Sequence, residues 1–108
     1  MAMLLVAACT GLQAPATANP EPGAVAALDR LASNRCNPVV AQALAGARVP
    51  IAQVDGLVYG LYRDINRDKI VMYDAWVSLK DQPGAIVVQV DEDCSLKQVY
   101  ARGGARLP

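Results

Sequence analysis

From Ala24 onward the hydrophobic pattern has two successive periods. Between Ala24 and Asn34, Val25, Leu28, Leu31 and Ala32 recur at helical spacing, with Asp29 and Arg30 on the opposite side. That is the pattern of an amphipathic helix lying on a core. Asn37-Pro38 reads as a second helix start, because an Asn side chain caps free amides and Pro fits the first turn. This helix is expected from Pro38 to about Ala45, with Val40, Ala43 and Leu44 inward. Gly46 can end it, and Pro50 prevents a restart. Beyond Pro50 the period becomes two, and Leu57–Arg63, Ile70–Leu79, Ala85–Asp91 and Leu96–Ala101 read as strands. The segments between them, Asp64–Asp68, Lys80–Gly84 and Glu92–Ser95, are short and rich in turn formers, as hairpin loops are. The pattern predicts an α+β fold: two short N-terminal helices packed on a three- to four-stranded antiparallel meander sheet, in one domain over residues 24–108.

Alternation along the second strand divides it into two faces. Val71, Tyr73, Ala75, Val77 and Leu79 form one, apolar throughout and suited to packing on the helices. Ile70, Met72, Asp74, Trp76 and Ser78 form the other. A solvent face is normally more polar, and Trp76 is the one Trp of the chain. Ile70, Met72, Asp74 and Trp76 are therefore the candidate partner-binding residues, since Trp and Met are enriched in interface cores. Asp74 is expected to orient the partner. The alternative is a sheet covered on both sides, with the N-terminal segment as the second cover.

The N-terminus carries a different signal. Residues 1–8, Met-Ala-Met-Leu-Leu-Val-Ala-Ala, precede Cys9, and Val6-Ala7-Ala8-Cys9 resembles the lipobox of bacterial lipoproteins. The resemblance implies a signal peptide over 1–8 and a diacylglycerol thioether on Cys9, with further fatty acylation such as palmitate. No Lys or Arg precedes the apolar run, which an upstream translation start would supply. Thr10 stands where inner-membrane lipoproteins often have Asp, so the expected location is the periplasmic face of the outer membrane. Plain secretion, and a cytosolic chain with an incidental Cys, are the alternatives. Residues 10–24 hold three prolines and two glycines without apolar periodicity, so residues 9–23 read as the lipid attachment point and a flexible tether.

With Cys9 lipidated, Cys36 and Cys94 remain, and an even pair in an oxidising compartment is expected to form a disulfide. There is no His and no CxxC spacing, so no metal site is expected. Ten basic and ten acidic residues cancel, which argues against a nucleic-acid partner. No stretch approaches the roughly 20 apolar residues of a membrane span, so membrane contact is expected through lipid alone. Asp64-Ile65-Asn66-Arg67-Asp68 matches the first half of a calcium loop, but Lys69 and Ala75 occupy the positions of its Gly and Glu. A hairpin turn explains it, and a solvated turn explains Asp91-Glu92-Asp93. Without His the commonest acid/base group is missing. Ser33, Ser78 and Ser95 lie in no nucleophile motif, and no phosphate-binding glycine loop is present. Convergence of Asp55, Asp64, Asp68 and Asp74 is the one enzymatic arrangement left open. The chain is expected to be non-enzymatic and to use no cofactor.

The order of elements, with the acidic turn in Gly84-Ala-Ile-Val-Val-Gln-Val-Asp-Glu-Asp-Cys-Ser-Leu-Lys-Gln-Val99, resembles the small lipoproteins of the outer-membrane protein assembly machine. Those have two helices on a three-stranded antiparallel sheet. The resemblance implies an accessory subunit of an assembly or secretion machine, acting by contact with an envelope protein partner. The alternative is a periplasmic binding module or enzyme inhibitor. Intact-mass measurement of membrane-fraction protein should find residues 1–8 absent and Cys9 acylated. A mature chain retaining Met1, or a Cys9→Ser variant that still fractionates with membranes, contradicts the lipobox reading.

Overall fold

A single buried amide joins the two helices to the sheet. In the computed structural model, which describes residues 15–108, the elements are α1 (Ala24–Leu31), α2 (Asn37–Gly46), a 3-10 turn (Ile51–Gln53), β1 (Val54–Asp64), β2 (Lys69–Leu79), β3 (Ala85–Asp91) and β4 (Leu96–Arg102). Cys9 and residues 1–8, expected as a lipidation site and a signal peptide, lie outside the described residues. α1 stops at Leu31 rather than at Asn34, and Ala32 is already extended. The reason is Asn37, which is fully buried. Its side-chain amide donates to the Ala32 carbonyl at 2.9 Å and to Asp29 Oδ1 at 2.6 Å. Its oxygen accepts from the Tyr59 hydroxyl of β1. Burial, reinforced by the Asp29 charge, holds the Tyr59 phenol above the usual range. Asn37 is thus the first residue of α2 and not its cap, a position that falls to Cys36.

The helices occupy residues 24–46, after the described segment 15–23 rather than at the N-terminus itself. That segment has no regular structure up to Pro20, yet it lies against α2. The Ala18 amide donates to the Gln42 carbonyl at 3.1 Å. A Cβ on residue 46 would stand 2.2 Å from the Ala16 carbonyl oxygen, so only glycine allows this approach.

The sheet has four strands, not three, in the order β1-β2-β3-β4, each antiparallel to the next. It is a meander whose hairpin loops fall where turn formers cluster. β1 begins at Val54, earlier than the Leu57 expected, with a register irregularity between Val54 and Gly56. Both helices pack on one face. Leu28, Val40 and Leu44 meet Ala75, Val77, Ile86, Val88 and Val90 in one buried cluster. No helix among the described residues is long and apolar enough to cross a membrane.

Cys36 and Cys94 are bonded, with Cα atoms 5.1 Å apart and a separation of 58 positions in sequence. The bond ties the start of α2 to the β3–β4 turn. Arg35 lies over it, Nη1 3.4 Å from Cys94 Sγ, while Nη2 donates to the Glu92 carbonyl. Closing a loop of that length stabilises by about 4 kcal/mol in the chain-entropy model, within a total of about 5–15 kcal/mol for a small domain. Denaturant unfolding of the oxidised chain and the Cys36→Ser/Cys94→Ser variant should differ by about 2–5 kcal/mol. Equal midpoints would contradict a stabilising bridge.

Candidate functional site

Among the described residues, the face of the sheet turned away from the helices has no secondary-structure element over it, so its side chains satisfy one another. Register sets them in rows. Trp76 lies between Val58 of β1 and Val87 of β3, with Tyr100 of β4 beyond. Asp74 lies between Gly60 and Gln89, with Gln98 beyond, and Met72 between Tyr62 and Asp91. The first row is apolar and the second polar.

In the apolar row the Trp76 indole leans over Gly60, its Nε1 3.5 Å from where a Cβ on that residue would stand. The Arg102 guanidinium sits 5.2 Å from the indole centroid, within cation–π range. Flanked by Trp76 and Tyr100, Val87 is fully buried although it faces away from the helices. Trp76 itself is half-buried.

Asp74 departs most from its expected place. It is 2 % exposed, with its carboxylate turned into the sheet surface rather than toward solvent. Tyr62 donates its hydroxyl to Oδ2 at 2.7 Å, and Gln89 its amide to Oδ1 at 3.0 Å. Gln98 in turn donates to Gln89 Oε1 at 3.1 Å. The hydrogen bond and the Asp74 charge raise the Tyr62 phenol above its ordinary value. Asp74 therefore fixes Tyr62 and Gln89 in place; it offers no rim charge.

The four residues singled out by alternation separate. Met72, Asp74 and Trp76 share the uncovered face. Ile70 lies beyond a one-residue register slip and pairs with Arg63, so simple alternation does not carry it into the same row. Val58, Tyr62, Val87, Tyr100 and Arg102 complete the face and were not found from sequence, because they become neighbours of Trp76 and Asp74 only through strand register.

The carboxylates considered for other chemistry are engaged locally. Asp64 Oδ1 accepts the Asn66 and Arg67 amides at 3.0 and 3.3 Å, and Oδ2 accepts Arg67 Nε at 2.7 Å. The Arg67 bond holds the Asp64 carboxyl below its ordinary range. Asp68 pairs with Arg63, and Asp55 accepts from the Ser78 hydroxyl at 3.0 Å. Asp91 is lowered mainly by the Ser95 amide, with the Asp93 amide and Lys97 adding to it. Among the described residues no group of three or more His, Cys, Asp or Glu is placed to hold a metal ion. A shallow groove of about 300 Å³ lies on the helix side, lined by Asn19, Glu21, Arg48 and Pro50 among others. One Glu21 carboxylate oxygen is taken there by the Ile51 amide at 2.6 Å.

Replacing Asp74 with Ala leaves the Gln89 amide without its acceptor and should destabilise the domain by about 1–3 kcal/mol. Tyr62→Phe should cost less, since it removes one donor to Asp74 and leaves the Gln89 bond in place. Emission of the sole Trp should shift to the red in Asp74→Ala as the packing over Val87 loosens. Unchanged stability and unchanged emission would show that Asp74 organises nothing.

No family model matches this chain, and no curated protein or solved structure matches it either.

Proposed function

We propose that the chain is a lipid-anchored envelope protein without catalytic activity, which binds another envelope protein through the uncovered sheet face, with Trp76 and Met72 at the centre of contact. One observation carries this reading. Both helices lie on the same side of the sheet, and the other side presents Trp76, Tyr62, Tyr100 and Arg102 together. Trp, Tyr and Arg are the residue types that dominate binding hot spots. Arg102 on the indole and the Asp74 bonds to Tyr62 and Gln89 restrict these side chains before any partner arrives, which lowers the entropy cost of association. The acidic groups are engaged in turns, ion pairs and this network, which favours a contact role over acid–base chemistry. Lipidation at Cys9 would place the domain at the periplasmic face of the outer membrane, on a short tether, as an accessory subunit of an assembly or secretion machine.

The test is capture from solubilised membranes with the wild-type chain and a Trp76→Ala variant. A stoichiometric envelope complex is expected for the wild type. Binding should weaken by more than about 1 kcal/mol in Trp76→Ala, while the domain stays folded despite the lost cover over Val87. A variant that binds equally well contradicts the reading, as does one that unfolds. Capture of a soluble enzyme or a small molecule instead would favour a binding module or inhibitor.

A further inference from the structure

We infer that the Cys36–Cys94 bond is a redox latch, opened in the folded chain by a dithiol that attacks Cys94 Sγ, with Arg35 as the positioning residue. The inference stands apart from the docking reading, because it concerns the bond and not a partner.

The two sulfurs are not equivalent. Cys36 is fully buried, whereas Cys94 is partly exposed in the β3–β4 turn. Exchange begins when a thiolate reaches one of the two sulfurs, and Cys94 is the one open to solvent. The charge beside it suits that step. Arg35 Nη1 lies 3.4 Å from Cys94 Sγ, and the same guanidinium is anchored by donating to the Glu92 carbonyl. A cation there draws in a thiolate and later favours Cys94 leaving as one. Two neighbouring acids are paired, Glu92 with Lys69 at 2.7 Å and Asp91 with Lys97 at 3.5 Å. Asp93, exposed and next to Cys94 in the chain, opposes Arg35. Cys94 also holds a left-handed backbone at φ 63°, a conformation that costs any residue but glycine and favours a turn that changes state.

The exchange balances. The first thiolate of the dithiol bonds to Cys94 Sγ, and the electron pair of the broken bond leaves with Cys36 at the start of α2. A thiolate is unstable in that buried place, and the fold holds it beside the mixed disulfide. With a monothiol it therefore attacks Cys94 again and expels the monothiol. With a dithiol the second thiolate attacks the first sulfur, expels Cys94 beside Arg35, and closes the dithiol's own disulfide. The chain gains two electrons and two protons, and the dithiol loses them. Opening the bond frees α2 from the β3–β4 turn. β4 then keeps its ladder with β3 and the partial packing of Leu96, Val99 and Ala101. Because Arg102 of β4 lies on the Trp76 indole, the loosening reaches the outer face.

The experiment uses the full oxidised chain carrying Cys9→Ser under native conditions. After brief treatment with 2-mercaptoethanol, alkylation and peptide mapping should find the adduct on Cys94 and the alkyl group on Cys36. Reduction by dithiothreitol should rise in proportion to its concentration and stay unchanged in low urea. Arg35→Gln should slow it severalfold and abolish its decrease with added salt, Arg35→Lys should retain both, and Asp93→Asn should speed it. On full reduction, amide exchange over β4 should quicken and Trp76 emission should shift to the red. An adduct on Cys36 overturns the inference. So does a rate that climbs with urea as unfolding does, since the bond would then open only in the unfolded chain. An Arg35→Gln rate that is unchanged or faster, or a β4 unaffected by reduction, overturns it as well. If Arg35→Gln fails to fold, the adduct position and the urea dependence of the wild type decide.

Discussion

Among the described residues, the two helices, of eight and ten residues, lie on one face of a four-stranded sheet and leave the other without an element over it. The covered face follows ordinary rules: aliphatic side chains from both layers close into a single cluster, driven by removal of apolar surface from water. The other face has to be stable while wet. The chain does this with two interlocked devices. Trp76, braced by Arg102, shelters Val87. Asp74 is held beneath by Tyr62 and Gln89. A buried carboxylate left without donors would be costly, and two good hydrogen bonds supply what water otherwise would. The result is a surface that is apolar at its centre yet fixed in shape, as a recognition surface has to be.

Rigidity on that face depends on the opposite layer. β3 is buried on both sides, by the helices through Ile86, Val88 and Val90 and by Trp76 and Tyr100 over Val87. Anything that loosens the helices therefore reaches the outer face through this strand. Asn37 links α1, α2 and β1 through three side-chain hydrogen bonds, and the Cys36–Cys94 bond links the preceding residue of the chain to the far hairpin. These adjacent residues clamp the helical layer to β1 on one side and to the β3–β4 turn on the other.

The elements and the cysteine pair were legible in sequence because their signals are local. Turn formers mark the three hairpin loops, and the apolar period changes after Pro50 where the sheet begins. What sequence missed is non-local. Asn37-Pro38 has the form of a cap, but the Asn side chain reaches Asp29 and Tyr59, eight and 22 residues away. Asp74 read as a charge that orients a partner because its bonds to Tyr62 and Gln89, on neighbouring strands, are not visible in sequence. β1 is apolar at both odd and even positions from Leu57 to Tyr62, so no alternation tells which side chains join Trp76. The slip between Tyr62 and Arg63 compounds this. Counting outward from the Asp64↔Lys69 pair would set Val58 opposite Ala75, whereas it lies opposite Trp76.

On the proposed reading, the uncovered face works by being covered in its native setting. Hydroxyl-radical footprinting read by mass spectrometry measures this at Met72, Trp76 and Tyr62, with Leu107 near the C-terminus as an exposed reference. Labelling of the isolated chain and of the chain in intact envelope membranes is compared residue by residue. Strong labelling at Trp76 and Met72 in the isolated chain, falling severalfold in membranes while Leu107 is unchanged, is the expected result. Equal labelling in both settings would mean that nothing docks there, and the face would then be only the outer surface of a small stable domain.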